Sequence, residues 1–227
     1  MGVITFGQVS NSAAGLTGNG NLYPPLPDGW SAGQLAIAIV YSDQGSGSIS
    51  SGWNEVSGSP WGGGTEKLQA FWRVLKSGDS SPTVTISGST TGASHCAGIM
   101  TFNDVDGTTP VDVVGTASNG TGTPMTAGSI NTLIDGAWAL GICGRGDNEG
   151  ASKQSFGGST TGVTERLDLG TLAGNDSQVS AYTKEIATAG STGNGSATTS
   201  VTDPWVSVLL SLKPKNQPPS CVAHTET

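Results

Sequence analysis

The sequence predicts an all-β protein, a single jelly-roll-like antiparallel β-sandwich with negligible helix. Three observations lead to this prediction: short apolar segments that alternate with period two, turn-forming segments between them, and a composition that disfavours helix. Glycine supplies 36 of the 227 residues, and charged residues make up only 11%, against about 25% in an average globular domain. Long solvated helices and coiled coils need many charged residues, so both classes are excluded.

Strand-like segments follow one another along the chain. Residues 67–74 put apolar side chains on one face of a strand and polar ones on the other, and residues 206–212 alternate in the same way. Residues 35–41 and 99–102 are apolar on both faces, as in central strands. We expect ten side chains of such segments to be buried: Leu35, Ile37, Ile39, Trp72, Val74, Ile99, Leu140, Val206, Val208 and Leu210.

An internal repeat is visible, with halves at about 33–105 and 136–213. Each half reads as strand, variable loop, long alternating strand, polar turn and apolar strand. The matched segments are 33–38, 70–75 and 97–102 in the first half, and 136–141, 181–186 and 205–210 in the second. Similar strands in any sandwich would give such matches by chance, and that alternative stays open. We predict one domain over 1–213, with 104–134 as a linker and 214–227 as an extended C-terminal arm.

Charge and cysteine content narrow the function. The net charge of -8, with nine basic residues, argues against a nucleic-acid-binding surface. The longest apolar run, 35–41, is too short to cross a membrane, and the start of the chain has no signal-peptide pattern. Cys96, Cys143 and Cys221 are too few and too widely spaced for a disulfide framework or zinc knuckle. We expect Cys96 and Cys143 to be buried thiols.

A search for catalytic and metal-binding patterns favours a protein that is not an enzyme. Ser31 lies in a Gly-x-Ser-x-Gly match, but a strand follows it where a nucleophile elbow needs a helix. His95 and His224 read as strand-end or surface histidines. Asp104 and Asp106, and the cluster 147–149, lack the frame of a calcium loop. We therefore expect no catalytic residue, no metal site and no cofactor.

Candidate interface residues lie in loops and at the chain ends. Trp30, Trp53 and Trp61 sit in loops and could plug an open end of the sandwich, anchor a protein interface or stack on sugars. Val3, Ile4 and Phe6 belong to an apolar segment that could add a strand to a neighbouring molecule or form an edge strand of its own domain. Pro218 and Pro219 favour a stiff C-terminal arm that docks on a partner.

Four segments carry distinctive local motifs. Residues 33–41 carry a Gly-polar turn before a strand, and residues 51–56 carry a Gly-Trp hairpin. Residues 71–79 form an aromatic-basic strand ending in Gly-Asp, and residues 102–112 contain a Val-Asp-x-x-x-Pro corner. This series resembles β-sandwich structural proteins of tailed bacteriophages, from about Gly29 to Pro214. The resemblance implies a non-enzymatic virion protein made in the host bacterial cytoplasm. It implies a capsid decoration, or cement, protein on the capsid surface.

The partners that the resemblance implies are the major capsid protein and neighbouring copies of this chain, as a homo-oligomer or a multivalent layer, without nucleic acid or membrane. An alternative is a tail-associated receptor- or carbohydrate-binding module. That module would expose Trp30, Trp53 or Trp61 beside carboxylates and amides in one groove. A third alternative is a secreted bacterial adhesin whose signal was removed. The residues alone leave these alternatives open.

Overall fold

The structure, a computed structural model, describes residues 2–146 and 152–215. Within these ranges the chain forms eighteen β-strands and no helix. The first nine strands are β1 (Thr5–Val9), β2 (Ala14–Thr17), β3 (Gly20–Leu22), β4 (Leu35–Ser42), β5 (Ser46–Ile49), β6 (Asn54–Glu55), β7 (Lys67–Val74), β8 (Val84–Ser87) and β9 (Ser94–Asn103). The second nine are β10 (Val111–Val114), β11 (Ser118–Thr121), β12 (Met125–Ala127), β13 (Ala137–Arg145), β14 (Ser152–Phe156), β15 (Val163–Thr171), β16 (Ser177–Ile186), β17 (Gly195–Thr198) and β18 (Pro204–Leu212).

The two sets of nine strands share one topology. The first large sheet has the order β1-β9-β4-β7-β6, with β2 also paired to β9, and the first small sheet is β3-β8-β5. The second large sheet has the order β10-β18-β13-β16-β15, with β11 also paired to β18, and the second small sheet is β12-β17-β14. Each strand therefore has its counterpart nine strands later. The predicted fold class, a jelly-roll-like antiparallel sandwich with two repeated halves, is confirmed.

The inner core lies between the two large sheets and takes side chains from both halves. Strand β4 contributes Ile37 and Ile39, and strand β18 contributes Val208 and Leu210, all fully buried. One face of each large sheet is therefore covered by the other large sheet. Neither half encloses this core by itself.

Each large sheet also holds a small sheet on its outer face, so the sandwich has four layers. In β4, Ala36 and Ala38 alternate with the larger inner residues and pack beneath Val84 and Ile86 of the first small sheet. The second half has an equivalent outer core between β13, β16, β18 and its own small sheet. These two further cores explain why the central strands are apolar on both faces.

Strand β7 departs from the expected pattern. Eight of the ten side chains expected to be buried are buried, but Trp72 and Val74 are half-exposed because β7 lies next to the edge of its sheet. The face of β7 opposite to Trp72 and Val74 is not exposed to solvent, since the first small sheet covers Gln69 on that face. The Gln69 side chain accepts a hydrogen bond from the backbone N–H of Gly47 at 2.5 Å and donates one to the Gly47 carbonyl at 3.0 Å. These bonds join strand β5 to the large sheet.

The strand registers show which residues of the two halves are equivalent. Leu35 pairs with Phe102 while Trp138, its counterpart, pairs with Leu212. The segment 97–102 therefore corresponds to 207–212, and the predicted match to 205–210 is wrong by two residues. The residues before 33 and the predicted linker 104–134 also belong to the repeat, because they form β1–β3 and β10–β12. Side-chain alternation fixes which face a residue lies on but leaves a shift of two undetected.

Both chain ends are tied to the fold as far as the structure describes them. Strand β1 is an edge strand paired with β9 of its own sheet, which was one of the two alternatives for the N-terminal segment. Pro214 bridges Val105, and the backbone N–H of Lys215 donates to the Asp104 carbonyl at 2.7 Å. The first two residues of the predicted arm thus belong to the sandwich, contrary to the expected boundary. Pro218 and Pro219 lie outside the described residues.

Candidate binding surfaces

The N-terminal candidates have three different environments. Val3 is 68% exposed, whereas Ile4 is only 1% exposed and belongs to the inner core. Phe6 is half-buried and packs edge-to-face on Phe102, with ring centroids 5.7 Å apart. Ile4 is therefore not an interface residue, because pairing of the N-terminal strand with β9 turns its side chain inward. Of the three, Val3 is the most open to a partner.

The three loop tryptophans divide between the alternatives of a plug and an accessible contact surface. Trp61 is 6% exposed, and its backbone bridges Leu68, which carries the indole into the inner core. It therefore plugs the sandwich and is not available to a partner. Trp30 and Trp53 are half-exposed and pack against the first outer core. Two of the three candidates therefore remain partly accessible.

Trp30 lies in a groove of about 350 Å³, the Trp30 groove, whose lining includes Leu26, Asp28, Asp79 and Ser81. The Asp79 carboxylate is engaged, since it pairs with the Arg73 guanidinium at 2.5 Å and accepts the Lys76 N–H at 2.8 Å. Asp28 accepts one hydrogen bond from the Asn11 amide at 3.0 Å. An indole beside a carboxylate and hydroxyls is an arrangement that can stack on and bond to a sugar.

A second groove of about 450 Å³ lies where an edge of one half meets an edge of the other. We call it the Trp72 groove; its apolar lining includes Val56, Trp72, Val111 and Val114, and two acids, Glu55 and Asp112, border it. Both carboxylates accept hydrogen bonds from neighbouring groups. Oε1 of Glu55 accepts from the Ser59 hydroxyl at 2.7 Å and from the Gln69 amide at 3.0 Å, and Oδ2 of Asp112 accepts the Leu133 N–H at 3.1 Å. Sequence analysis assigned Trp72 to the core and missed this site.

A third groove, of about 510 Å³, is polar, and the amide side chains that line it are hydrogen-bonded to neighbouring groups. The Gln34 side chain accepts the Ser31 N–H at 2.9 Å and donates to Asn103 at 3.0 Å, and Asn103 donates to the Thr5 hydroxyl at 3.1 Å. These amides bind each other and hold the turn that precedes β4. Ser31 therefore sits in a turn before a strand, which is not the setting of a nucleophile elbow.

Asp106, one of the acidic residues considered for calcium, has structural partners. Asp106 accepts the backbone N–H groups of Thr108 and Thr109 at 2.8 and 2.9 Å and pairs with Lys213 at 3.3 Å. The two backbone hydrogen bonds, from Thr109 and then Thr108, lower the pKa of Asp106. Across residues 2–146 and 152–215, no three His, Cys, Asp or Glu side chains are grouped so that they could hold a metal ion. The cluster 147–149 lies outside the described residues.

The described thiols and histidine are buried. Cys96 and Cys143 are free and buried, as expected, and burial raises the pKa of Cys96 to about 12 and that of Cys143 to about 11. His95 is the second residue of β9, so it lies at a strand end, one of the two expected settings, and it is fully buried because β2 and β4 flank it on both sides. Its Nε2 lies 3.0 Å from the Ser89 hydroxyl, and burial lowers its pKa. Their burial keeps all three groups away from any substrate in solution.

The described residues include no helix long and apolar enough to cross a membrane. Comparison with protein-family models, with curated proteins and with solved structures finds no match.

Proposed function

We propose that this chain is a non-enzymatic bacteriophage virion protein, a capsid decoration protein that binds the outside of the major capsid protein shell and stabilises it. The observation that carries the proposal is the duplicated topology. Two halves with the same strand order give the molecule two related sets of sheet edges. A molecule that bridges neighbouring capsomers gains from several such contacts because linked weak contacts add up to stable attachment.

The chemistry of the surface supports binding over catalysis. The thiols have pKa values far above neutral, so they carry almost no nucleophilic thiolate. His95 is buried away from the grooves that the structure describes. The net charge of -8 keeps free subunits apart and steers them towards basic patches on a partner. The partners in this proposal are the capsid shell and neighbouring copies of the chain.

The test uses purified capsids that lack this protein. Added protein should bind to saturation in a fixed ratio to the capsid subunit and raise the temperature at which the shell opens. A soluble sandwich of similar size and charge serves as the control. Binding no greater than that of the control, or binding only at tail tips in micrographs, would contradict the proposal.

The C-terminal arm has its own place in this proposal. Because Pro214 and Lys215 are part of the sandwich, the informative truncation ends after Lys215. We expect the truncated protein to stay folded and to occupy fewer capsid sites at a given concentration. Unchanged occupancy would exclude the arm from attachment without affecting the proposal for the sandwich.

A second candidate function is carbohydrate binding by a tail-associated module, which the Trp30 groove favours. The indole of Trp30, the carboxylate of Asp28 and the hydroxyl of Ser81 lie together there. The test is a glycan array with the Trp30→Ala variant. Trp53→Ala is the matched control, since Trp53 is also half-exposed and packs on the same outer core. Glycan binding lost in Trp30→Ala but kept in Trp53→Ala would support this function over capsid decoration.

A further inference from the structure

The outer face of the first small sheet carries a row of hydrogen-bonding side chains. Strands β3, β8 and β5 pair so that Asn21 lies opposite Thr85, and Thr85 lies opposite Ser48. All three residues are exposed, because the alternate residues of the same strands, such as Leu22 and Ile86, fill the first outer core. Neighbouring strands lie about 4.8 Å apart, so the row repeats a polar group at that spacing.

An exposed aromatic ring stands beside this row. Tyr23 follows Asn21 by two residues, so both side chains lie on the outer side of the sheet, and Tyr23 is 61% exposed. The ring is held in place, since the Asn21 side-chain amide donates to the Tyr23 hydroxyl at 3.3 Å and accepts from the Thr85 hydroxyl at 2.9 Å. We call the surface formed by Asn21, Tyr23, Ser48 and Thr85 the Asn21 face.

The strands that form the Asn21 face carry no charge. None of the residues of β3, β5 and β8 is Asp, Glu, Lys, Arg or His. The whole chain, in contrast, has a net charge of -8. A cationic partner finds no carboxylate on these strands to pair with, and an anionic partner is repelled by the molecule as a whole. The face therefore suits an uncharged partner.

The size of the Asn21 face disfavours a protein partner. Three strands about 4.8 Å apart and up to four residues long cover roughly 10 by 13 Å. Each partner in a stable protein interface buries about 800 Å². Such an interface also has an apolar centre, whereas this face presents polar side chains beside one ring. Its area matches a short run of sugar rings.

The duplication supplies an equivalent face without the ring. In the second small sheet Thr126 pairs with Ser196, so hydroxyls again lie side by side across the strands. Thr126 corresponds to Asn21, and the position of Tyr23 is taken by Gly128. The ring and the amide that holds it therefore distinguish the first face from a plain row of hydroxyls.

We infer that the Asn21 face binds an uncharged glycan, with one sugar ring stacked on Tyr23 and neighbouring rings bonded to Asn21, Thr85 and Ser48. Sugar hydroxyls donate and accept hydrogen bonds, as do the amide and hydroxyls of the row. The C–H side of a sugar ring covers tyrosine at little cost in side-chain entropy, because the Tyr23 ring is already held.

This site is separate from the surfaces of the proposed functions. The Trp30 groove is lined by other residues. The inference therefore rests neither on carbohydrate binding in that groove nor on capsid decoration.

The test follows the full-length protein by two-dimensional NMR while a hexasaccharide of β-1,4-linked glucose is added. This chain is extended, and one of its sugar residues is about as long as the spacing of the strands. The amides of Asn21, Thr85 and Ser48 should shift and saturate, whereas those of Thr126 and Ser196 should not move. Absence of saturable shifts on the Asn21 face, or equal shifts on both faces, would overturn the inference.

A charged hexasaccharide tests the preference for an uncharged ligand. The hexasaccharide of β-1,4-linked glucuronic acid keeps the linkage and adds a carboxylate to each ring, so it should bind at least about tenfold more weakly at low salt. Added salt should leave the affinity for the glucose hexasaccharide unchanged, because screening acts on charges. Equal affinity for the two chains, or an affinity for the glucose chain that falls with salt, would refute the site.

Four variants localise the binding, at positions whose side chains are not part of a core. Tyr23→Ala removes the ring and should weaken binding at least about fivefold, whereas Tyr23→Phe keeps the stacking surface and should retain most of it. Thr85→Val removes a hydroxyl with little change of shape and should weaken binding about 2- to 10-fold. Thr126→Val makes the same change on the equivalent face and should have no effect. Full binding by Tyr23→Ala, or equal weakening by the two valine variants, would contradict the inference.

The Trp30→Ala variant separates this site from the Trp30 groove. It should leave the shifts at Asn21 and Thr85 and the affinity for the glucose hexasaccharide unchanged. Binding that is lost in Trp30→Ala and kept in Tyr23→Ala would place the glycan in the Trp30 groove and overturn the inference.

Discussion

Single residues decide how closely the layers approach. On β13, Gly141 lies over the ring of Tyr182, and a Cβ at Gly141 would be 2.4 Å from two ring atoms. Tyr182 is fully buried in the second outer core, so its ring has little room to move. At this position glycine is required for close packing rather than for an unusual backbone conformation.

We therefore expect Gly141→Ala to destabilise the protein by about 1–3 kcal/mol through overpacking. Urea denaturation would measure the loss. Gly128→Ala is the matched control, because Gly128 is exposed and a Cβ there meets nothing within 4 Å. Equal stability of the two variants would show that the outer core yields to an extra methyl group.

His95 should make stability depend on pH. Burial lowers its pKa in the folded state below the ordinary value near 6.5, so between the two values the unfolded chain binds the extra proton. Its contribution to stability is therefore complete above the unfolded pKa and is lost as the pH falls towards the folded pKa.

The free energy of unfolding should consequently fall less in His95→Gln than in the original protein between pH 8 and pH 5.5. Parallel urea titrations at the two pH values measure the difference, which is limited to about 1.4 kcal/mol per unit of pKa shift. If the free energies of unfolding of the two proteins differ by the same amount at both pH values, His95 keeps its ordinary pKa in the fold.

At the scale of elements, a single bulge makes the two edges unequal. Strand β15 redirects Arg166 over Phe6 and Trp138, whereas the equivalent strand β6 has no inserted residue. The two edges therefore share a topology but not a surface. One is closed by the chain itself, and the other is the Trp72 groove.

Loss of the Arg166 side chain should open the closed edge. We expect Arg166→Ala to lower the free energy of unfolding by about 1–3 kcal/mol, because it removes a partly buried cation–π contact and the packing of its aliphatic stem. The denaturant midpoint is the measurement. Lys76→Ala removes an exposed cation and should change stability by less than about 0.5 kcal/mol. An equally small effect of Arg166→Ala on stability would show that the Arg166 side chain does not close this edge.

At the scale of the whole molecule, the inner core binds the two halves into one cooperative structure. It contains side chains of both large sheets, such as Ile37 and Leu210. Separation of the halves would expose one apolar face of each large sheet, and burial of that surface is worth about 25 cal/mol for each Å². The halves are therefore expected to unfold together.

Urea titration followed by NMR would test this cooperativity. The folded-state indole signals of Trp72 in the first half and Trp138 in the second should disappear with the same midpoint, as in a two-state transition. A first-half fragment ending at residue 106 should not remain a folded monomer, by circular dichroism and light scattering. Separate midpoints, or a folded monomeric fragment, would show that each half is stable alone.

Much of the fold could be predicted from local pattern. The alternation of residues 206–212 predicted strand β18, and the runs apolar on both faces predicted the central strands β4 and β9. The repeat was detectable from three matched segments, two of them in the correct register, and the apolar settings of Cys96 and Cys143 predicted their burial. These features depend on neighbouring residues in the chain, since a strand turns successive side chains to opposite faces.

The candidate sites could not be predicted in the same way. Trp61 stands in a loop of glycine, serine and proline yet is buried, and Trp72 stands in an alternating strand yet borders a groove. The sequence determined by itself where the long apolar strands lie and which of their side chains share a face. Only the tertiary structure decided what covers each face, because coverage depends on contacts between distant parts of the chain. The packing of Arg166 on Phe6, which closes one edge, has no counterpart at the edge that holds the open Trp72 groove.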